Sequence, residues 1–298
     1  MTRRQLIGGS DAAAAVNLSR WKSPYRLWQE MVGEREPDDT ADNEYAHFGT
    51  VLEDVVAREF QRRSGMKVVR DRRELLGLDC MIGHIDRRIV GRREGLECKT
   101  ASLRMAKEWG EEGTDEIPSE YLVQCMHYLA LTSYDAWHVA VLIAGNCFRT
   151  YKVQRDEEAI KVLIEREREF MSFVRGRRPP PPTTIEDVNW LWPSERAKTA
   201  IRATPEVEET VEKLRELKRL SKANENAMIE CELAIKSYMQ DNASLIDTIA
   251  SREIVTWTAQ EAHRIDIERL RKERPEIAAE FEIVTPSRVL RLKAKRNA

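Results

Sequence analysis

Hydrophobic positions in the first 178 residues repeat with two different periods. Spacings of three and four predict helices over residues 45–64, 119–131 and 156–173. Apolar runs with strand-type spacing predict strands over residues 67–70, 75–89 with a turn inside, 95–100, 136–143 and 148–153. The helix over 45–64 is expected to bury a broad face formed by Phe48, Leu52, Val55, Val56 and Phe60. This order of elements predicts an α/β fold of the α+β type, with a mixed central β-sheet flanked by helices.

A proline-rich segment divides the chain. Six of the eleven prolines fall between Pro179 and Pro205, where a polyproline run cannot continue a helix or a central strand. We therefore predict one domain over residues 1–178, a linker over 179–205 and a helical or mixed C-terminal extension over 206–298.

The extension begins with a long helical pattern over residues 206–240. Its apolar positions follow a heptad-like seam of Val207, Leu214, Leu217, Met228, Cys231, Ile235 and Tyr238. Ser221 and Asn224 interrupt this seam. A helical hairpin or an oligomer contact would bury it, and packing on the C-terminal segment of the same chain would do so equally well.

Composition narrows the class of protein. The 49 basic and 51 acidic side chains nearly cancel, so a nucleic-acid surface would require local segregation of charge. The longest apolar stretch, residues 136–145, is about half the length of a membrane-spanning helix, and the N-terminus lacks a signal-type apolar run. We expect a cytoplasmic protein without membrane contact. Five cysteines without a CxxC pair argue against a disulfide framework and against a zinc or iron–sulfur cluster.

Two short motifs carry candidate chemistry. One is Ile82-Gly-His-Ile-Asp86, and the other, ten residues later, is Leu96-Glu97-Cys98-Lys99-Thr100. On a strand, Glu97 and Lys99 point to the same face, and Asp86 would join them if its strand lies alongside. Two carboxylates suit Mg²⁺ or Mn²⁺, which prefer oxygen ligands, and a lysine can stabilise developing negative charge. The motifs therefore indicate a site for phosphodiester hydrolysis, although each charge alone would be common on an exposed edge strand.

Residues on the neighbouring helices extend this set. Glu53 lies on the preceding helix, while Gln124 and Tyr128 form a QxxxY pattern that shares one face of the following helix. Further motifs are Ile7-Gly-Gly-Ser-Asp11, Trp21-Lys-Ser-Pro-Tyr-Arg-Leu-Trp28 and Phe48-Gly-Thr-Val-Leu-Glu53. Together these residues resemble the PD-(D/E)XK nuclease superfamily, specifically its YqaJ-type viral recombinase branch with the lambda-exonuclease-like enzymes. Ile85 departs from the proline that relatives often have before the aspartate.

The resemblance implies a restriction-endonuclease-like core with a helical C-terminal extension. It implies catalytic roles for Glu53, Asp86, Glu97, Lys99, Gln124 and Tyr128. The metal ligands would be Asp86, Glu97 and the backbone carbonyl of Cys98. The implied activity is metal-dependent 5′ to 3′ degradation of linear double-stranded DNA, which leaves 3′ single-stranded tails for a separate annealing protein. Relatives form trimeric rings, so a homo-oligomer is a further expectation.

Basic and small residues indicate where DNA could bind. By analogy with these relatives, Ser10 with Arg3 or Arg4 would anchor a 5′-phosphate, although Ser10 or Asp11 could instead cap a helix. From Arg62 to Arg93 there are ten basic residues, including Arg87 and Arg88, against four acids. Next to the metal strands this excess favours a DNA contact, while a solvated face is the alternative. His84, His127 and Trp109 are interpreted as supporting or core residues rather than ligands.

Two other functions fit the same motifs. One is a RecB-type or site-specific DNA endonuclease on the same fold, although the four-cysteine cluster of its iron–sulfur members is missing. The other is a DNA-end-binding module that has lost catalysis. The joint presence of Glu53, Asp86, Glu97, Lys99 and Gln124 argues against the second, because a scaffold alone has no need for three acids and a lysine around one point.

Overall fold

The computed structural model describes residues 6–37, 43–77, 80–197, 199–284 and 287–294, which fall into two compact units, Met1–Leu191 and Trp192–Ala298. Elements of the first unit are, in chain order, β1 (Ile7–Gly8), α1 (Gly9–Ala15), α2 (Pro24–Val32), α3 (Glu44–Ser64), β2 (Val68–Arg70), β3 (Leu75–Leu76), β4 (Met81–Gly83), β5 (Arg87–Ile89), β6 (Glu94–Ala101), α4 (Ser119–Leu131), β7 (Ala136–Ile143), β8 (Cys147–Gln154), α5 (Glu157–Arg175) and α6 (Ile185–Leu191). A 3₁₀ helix over Leu103–Glu108 connects β6 to the loop before α4. These elements confirm the predicted mixed α/β fold with helices around a sheet.

The main sheet has five strands in the order β2-β5-β6-β7-β8. The β6–β7 pair is parallel, with Glu97 opposite Val139 and Lys99 opposite Val141, while the other pairs are antiparallel. The connection between the parallel strands runs through α4, as a crossover between parallel neighbours requires. Strand β6 therefore lies in the middle of the sheet, where both of its edges are paired.

The strand segment over residues 75–89, predicted with one turn inside, is divided further. It is three short strands, and two of them belong to a separate sheet in which β4 pairs in parallel with β1 and antiparallel with β3. Only β5 joins the main sheet, where Arg87 lies opposite Leu96. Gly83 ends β4 against α4, where a Cβ atom would lie 2.6 Å from a Leu131 methyl carbon. The chain therefore turns through residues 84–86 and brings Asp86 to the start of β5.

Three groups of buried side chains hold these layers together. Leu129 of α4 packs with Trp137, Val139 and Tyr151 on one face of the main sheet. On the other face, α3 contributes Val56, Ala57 and Phe60. A third group joins α1, α2 and α5. Burial of this apolar surface is the main source of free energy that keeps the sheet and helices in place.

Only the second half of the predicted α3 face is buried. Val56 and Phe60 are 1% exposed, whereas Phe48 is 50% and Val55 41% exposed. The helix begins where the Asn43 side chain accepts hydrogen bonds from the N–H groups of Tyr45 and Ala46. It ends at Gly65, which has a φ of 70°. The sheet thus covers α3 only from about its middle onward.

The first unit extends past the predicted boundary at residue 178 and includes α6. Asp187 of α6 is 3% exposed. Its carboxylate accepts hydrogen bonds from the Ser23 hydroxyl at 2.6 Å and from the Thr183 and Thr184 N–H groups at 2.9 and 3.1 Å. The part of the predicted linker before residue 192 is therefore attached to α2.

The second unit contains one long helix and several short elements. They are α7 (Pro205–Met239), β9 (Ser244–Ile246), β10 (Glu253–Thr256), α8 (Ile267–Glu273) and α9 (Pro275–Glu280). Strands β9 and β10 form an antiparallel hairpin. Of the residues in α7, which the structure describes in full, only Met239 is buried. The described part of the C-terminal segment therefore does not cover the heptad-like seam. Across the described parts of both units, no helix is long and apolar enough to cross a membrane.

Candidate active site

Strand β6 presents Glu97 and Lys99 on one face, as its alternating geometry requires. The Glu97 side chain is 4% exposed and that of Lys99 is 20% exposed. The Lys99 ammonium donates a hydrogen bond to Glu97 Oε1 at 2.7 Å. Because β6 is paired with β7 along its whole length and with β5 at Gly95 and Leu96, these two side chains are held on a rigid element.

Helix α4 adds an amide to the same carboxylate. Gln124 Nε2 donates to Glu97 Oε1 at 2.8 Å and to the Tyr128 hydroxyl at 3.1 Å. Gln124 and Tyr128 are four residues apart, so they share one helical face. The predicted QxxxY pattern thus becomes a buried hydrogen-bonded chain that ends on Glu97.

The second oxygen of Glu97 has no hydrogen-bond partner among the described residues. Oε2 is fully buried, whereas Oε1 accepts from both Lys99 and Gln124. A buried carboxylate oxygen without a partner costs free energy, so such an atom indicates a ligand that completes the site. Glu97 is therefore oriented by its neighbours while one oxygen stays available.

Asp86 brings a second carboxylate to this point from the turn before β5. Its Oδ2 accepts a hydrogen bond from the Cys98 N–H at 2.8 Å, which links the turn directly to β6. Burial, followed by the negative charge of Glu97, raises the pKa of Asp86 to about 8. Two carboxylates that repel each other at a largely buried site are both stabilised in their ionised form when a cation binds between them.

Lys99 keeps its positive charge in this site. Burial alone would lower the pKa of Lys99, but the charges of Glu97 and Asp86 outweigh it and raise that pKa. The ammonium also lies 4.9 Å from the centre of the Tyr121 ring. Lys99 is thus a charged hydrogen-bond donor beside the two carboxylates.

These donors fit a hard divalent cation. Two carboxylates, the backbone carbonyl of Cys98 and water would supply the oxygen ligands that Mg²⁺ prefers, and Mg²⁺ usually keeps several waters. Within the described ranges, no group of three or more His, Cys, Asp and Glu side chains is arranged around one metal position. The fit therefore rests on the unpartnered Glu97 oxygen and on the proximity of Asp86.

Glu53 is linked to the Asp86 turn by the Arg87 side chain, which hydrogen-bonds to both. Arg87 Nη1 donates to Glu53 Oε1 at 2.5 Å and to the Asp86 carbonyl at 2.7 Å, and its other terminal nitrogen pairs with Asp54. The sequence predicts that Arg87 contacts a DNA phosphate. Its side chain is only 4% exposed, so the structure does not present it to DNA. We assign it instead to holding Glu53 and the Asp86 turn together. Arg88, the next residue, is exposed.

The N-terminal motif contacts the site through a glycine. Gly9 begins α1, and a Cβ atom there would lie 2.5 Å from the Tyr128 ring. Gly8 occupies the N-cap without a side-chain hydrogen bond, so the interpretation of Ser10 or Asp11 as the cap is wrong. Ser10 is exposed, as the predicted phosphate anchor requires, while Arg3 and Arg4 lie outside the described residues.

Most of the basic run has acidic partners. The ion pairs are Arg62 and Arg63 with Glu59, Arg70 with Glu53 and Asp54, Arg73 with Asp71, Arg87 with Glu53 and Asp54, Arg92 with Glu94, and Arg93 with Asp135. All of these acids except Asp71 lie outside the counted segment, so the local excess of six basic residues is smaller in three dimensions than along the chain. The run alone does not indicate DNA binding.

Of the other predicted supporting residues, His127 and Trp109 lie in the core, whereas the His84 side chain is 67% exposed. His127 is fully buried, and its ring nitrogens lie 2.7 Å from Glu167 Oε1 and 3.0 Å from the Ile82 carbonyl oxygen. Trp109 is 3% exposed and stacks on Tyr121. Sequence reasoning missed Tyr121, whose position three residues before Gln124 on the same helical face was the available signal.

Comparison with known proteins identifies the first part of the chain. Residues 1–135 match the family model of the YqaJ-like viral recombinase domain. This part of the chain is therefore similar to the YqaJ-like recombinase domain. All six proposed catalytic residues, from Glu53 to Tyr128, fall inside it. The YqaJ protein of Bacillus subtilis (strain 168) is 42% identical over 172 residues, which cover 56% of this chain and 53% of that protein. The chain thus spans about half the length of this relative.

Solved structures with similarity to this chain include two exonucleases. An alkaline exonuclease (LHK-Exo) from Laribacter hongkongensis has a TM-score of 0.47 at 13% identity, and the match covers 59% of this chain and 90% of that one. A phage-related exonuclease from Haemophilus somnus 129PT has a TM-score of 0.47 at 14% identity, over 58% of this chain and 94% of that one. LHK-Exo in complex with dAMP has the same TM-score at 14% identity, over 63% and 94% of the two chains.

Proposed function

We propose that the chain is a deoxyribonuclease that hydrolyses phosphodiester bonds with a divalent cation held by Asp86 and Glu97. The observation that carries this proposal is the Glu97 carboxylate, whose Oε1 is fixed by Lys99 and Gln124 while Oε2 is buried without a described partner. The match of residues 1–135 to a viral recombinase family supports DNA as the substrate.

The side chains divide the work between positioning and charge. When bound, the cation would act as a Lewis acid toward the phosphate and make water a better nucleophile. Gln124 holds the Glu97 carboxylate in one orientation and is itself fixed by the Tyr128 hydroxyl. Lys99 remains protonated, so its ammonium can donate to the phosphate oxygens as negative charge develops on them. Arg87 keeps the Asp86 turn against α3 through Glu53.

The finer parts of the proposal concern the substrate and its surroundings. The enzyme degrades linear double-stranded DNA from 5′ ends with Mg²⁺ or Mn²⁺ and leaves 3′ single-stranded tails for an annealing protein. The family resemblance supports this polarity, together with a ring-shaped homo-oligomer, and the exposed Ser10 supports an anchor for the 5′-phosphate. Because DNA is the substrate, the place of action is the cytoplasm of a bacterial or phage-infected cell.

Metal binding can be tested without measuring activity. Titration of Mn²⁺, followed by the electron paramagnetic resonance of the free ion, should show a site that Glu97→Gln and Asp86→Asn weaken at least about tenfold. Glu94→Gln is the matched control, because Glu94 lies on the same strand but pairs with Lys152 and His138. Equal Mn²⁺ binding by the wild-type protein and Glu97→Gln would remove Glu97 from the proposed ligands.

Polarity requires a separate experiment. Duplexes labelled at one end, with or without a 5′-phosphate, should lose the 5′ label first and be degraded faster when the phosphate is present. Ser10→Ala should reduce this preference more than it reduces DNA affinity, because a positioning contact acts on the rate. Release of the 3′ label first would contradict the proposed polarity, and indifference to the phosphate would contradict the anchor.

A further inference from the structure

Helix α7 exposes a heptad seam along most of its length, in which Leu214 is half-buried. The helix spans 35 residues, about 52 Å at 1.5 Å per residue. The seam, called the α7 seam below, consists of the a and d positions Val207, Thr210, Leu214, Leu217, Ser221, Asn224, Met228, Cys231, Ile235 and Tyr238. Leu217 is 53%, Met228 63% and Tyr238 76% exposed. Five consecutive heptads in one register are typical of a coiled coil, which requires a partner helix.

The α7 seam is complementary to the same seam on a second copy of α7 that runs antiparallel to it. When two copies of α7 are laid antiparallel, each a position meets a d position of the other helix. The five kinds of layer, each formed twice, are Val207 with Tyr238, Thr210 with Ile235, Leu214 with Cys231, Leu217 with Met228, and Ser221 with Asn224. The two polar interruptions therefore meet each other at the centre, and four of the five layers contain at least one large apolar side chain. A polar central layer costs stability but fixes register and orientation.

Charges beside the α7 seam favour the same orientation. In the antiparallel pair, Lys218 at an e position lies between Glu225 and Glu232 of the second copy. In a parallel pair the g position Lys213 would instead face Lys218 of the second copy, which is repulsive. The present partners of the two glutamates, Lys222 and Lys236, are exposed neighbours on the same helix, and such pairs contribute little.

We propose that the α7 seam binds a second copy of this chain in an antiparallel coiled coil, with a twofold axis between the two Ser221–Asn224 layers. Such an interface is isologous: if Leu214 contacts Cys231 of the second copy, the reverse contact is present as well. The proposal does not depend on the nuclease activity, since α7 follows every proposed catalytic residue. It assigns a homodimer contact to the second unit.

Disulfide trapping tests this contact in the full chain. In a Cys147→Ser background, which removes the other exposed cysteine, Leu214→Cys should yield a covalent dimer through Cys231 under oxidised glutathione. The two positions are about 25 Å apart on one helix, so they cannot link within a chain. Ala223→Cys is the matched control, because this position lies off the α7 seam and should not cross-link. The Leu217→Cys, Met228→Cys double variant with Cys231→Ser tests a second layer.

Three results would overturn the proposal. A Cys231–Cys231 link in the background protein would indicate a parallel pair, because antiparallel helices keep these thiols about 25 Å apart. Absence of cross-links in both layer variants, with α7 still helical by circular dichroism, would mean that something else covers the α7 seam. Equal cross-linking of Ala223→Cys and Leu214→Cys would mean that the contact is unspecific.

Charge reversal gives an independent readout in the Leu214→Cys protein. Lys218→Glu should slow the initial rate of dimer cross-linking about tenfold or more, because it places like charges together on both sides of the twofold axis. Adding Glu225→Lys and Glu232→Lys should restore the rate. Arg219→Glu, the same charge change on the outer face of α7, should leave it unchanged. An unchanged rate for Lys218→Glu, or equal slowing by Arg219→Glu, would contradict the antiparallel pairing.

Discussion

At the scale of single residues, the site is defined by how four side chains share hydrogen bonds and charge. Glu97 accepts two hydrogen bonds at one oxygen, Lys99 stays charged, and Asp86 has a raised pKa because both acids lie close together in a buried place. None of these properties belongs to one residue alone. Each substitution below should therefore change a particular step rather than simply remove a charge.

Lys99→Met should reduce turnover roughly 10²- to 10³-fold, because a charged donor to the developing negative charge is lost. DNA affinity should change little, since one contact among many phosphate contacts is removed. Single-turnover cleavage and filter binding separate the two effects. Lys152→Met is the control: this lysine pairs with Glu94 and should leave cleavage unchanged. Near wild-type cleavage by Lys99→Met would contradict its role.

Gln124→Leu should lower single-turnover cleavage more than Tyr128→Phe does. The leucine variant removes the amide donor to Glu97 Oε1, whereas the phenylalanine variant removes only an acceptor for that amide and keeps the ring. Loss of a residue that orients a ligand typically costs about 10- to 100-fold in metal affinity or activity. If Tyr128→Phe had the larger effect, the Tyr128 hydroxyl would have a more direct role than positioning Gln124.

At the scale of elements, the site depends on α1 and α4 packing closely on the two sheets. Gly9 allows this approach, because a Cβ atom there would lie 2.5 Å from a Tyr128 ring carbon. Helix α4 then carries Gln124 and Tyr121 to the face of β6 where Lys99 lies. A substitution in α1 that disturbs this packing should therefore alter the position of the α4 side chains in the site.

Gly9→Ala should lower the free energy of unfolding by about 1–3 kcal/mol, since an overpacked contact must displace the Tyr128 ring or the helix. Gly8→Ala is the matched control, because nothing lies within 4 Å of a Cβ atom at that position. Chemical denaturation of both variants measures the difference. Equal stability of the two would contradict the close packing of α1 on α4.

Regular elements with a clear period could be predicted from the sequence, and short ones joined by long-range contacts could not. Strand β7 and helix α4 have the predicted bounds, because a long apolar run and a proline at the start of a helix are local signals. Strands β3 and β4 are two and three residues long, and the pairing of β4 with β1 connects distant parts of the chain. No local pattern reports such pairing.

The same distinction applies to the site. Glu97, Lys99 and Gln124 meet as predicted, because strand alternation and helical spacing both follow from sequence position. The burial of Arg87 could not be predicted, since it depends on α3 placing Glu53 Oε1 2.5 Å from Arg87 Nη1. The sequence of an arginine-rich segment does not show whether its side chains face DNA or pair with acidic side chains.

At the scale of the whole molecule, the chain divides into two compact units after Leu191, which lies within the predicted linker over residues 179–205. A truncated protein ending at Leu191 should fold and retain metal-dependent cleavage, since it keeps every proposed catalytic residue and the α6 contacts. A protein ending at Arg178 loses Asp187 and should have a lower melting temperature, because Ser23 loses its buried partner. Differential scanning calorimetry and a cleavage assay compare the two. Insoluble or inactive protein from the longer truncation would mean that the second unit is needed for the first.

The most direct measurement compares linear duplex DNA with covalently closed circular DNA, each with Mg²⁺ and with a chelator, for the wild-type protein and Glu97→Gln. The wild-type protein should release nucleotides from linear DNA only when Mg²⁺ is present and leave the closed circle intact. Glu97→Gln should release none above background, because the oriented carboxylate that would hold the cation is gone. Cleavage of the closed circle at the same rate would contradict an exonuclease, and unchanged cleavage by Glu97→Gln would contradict the proposed site.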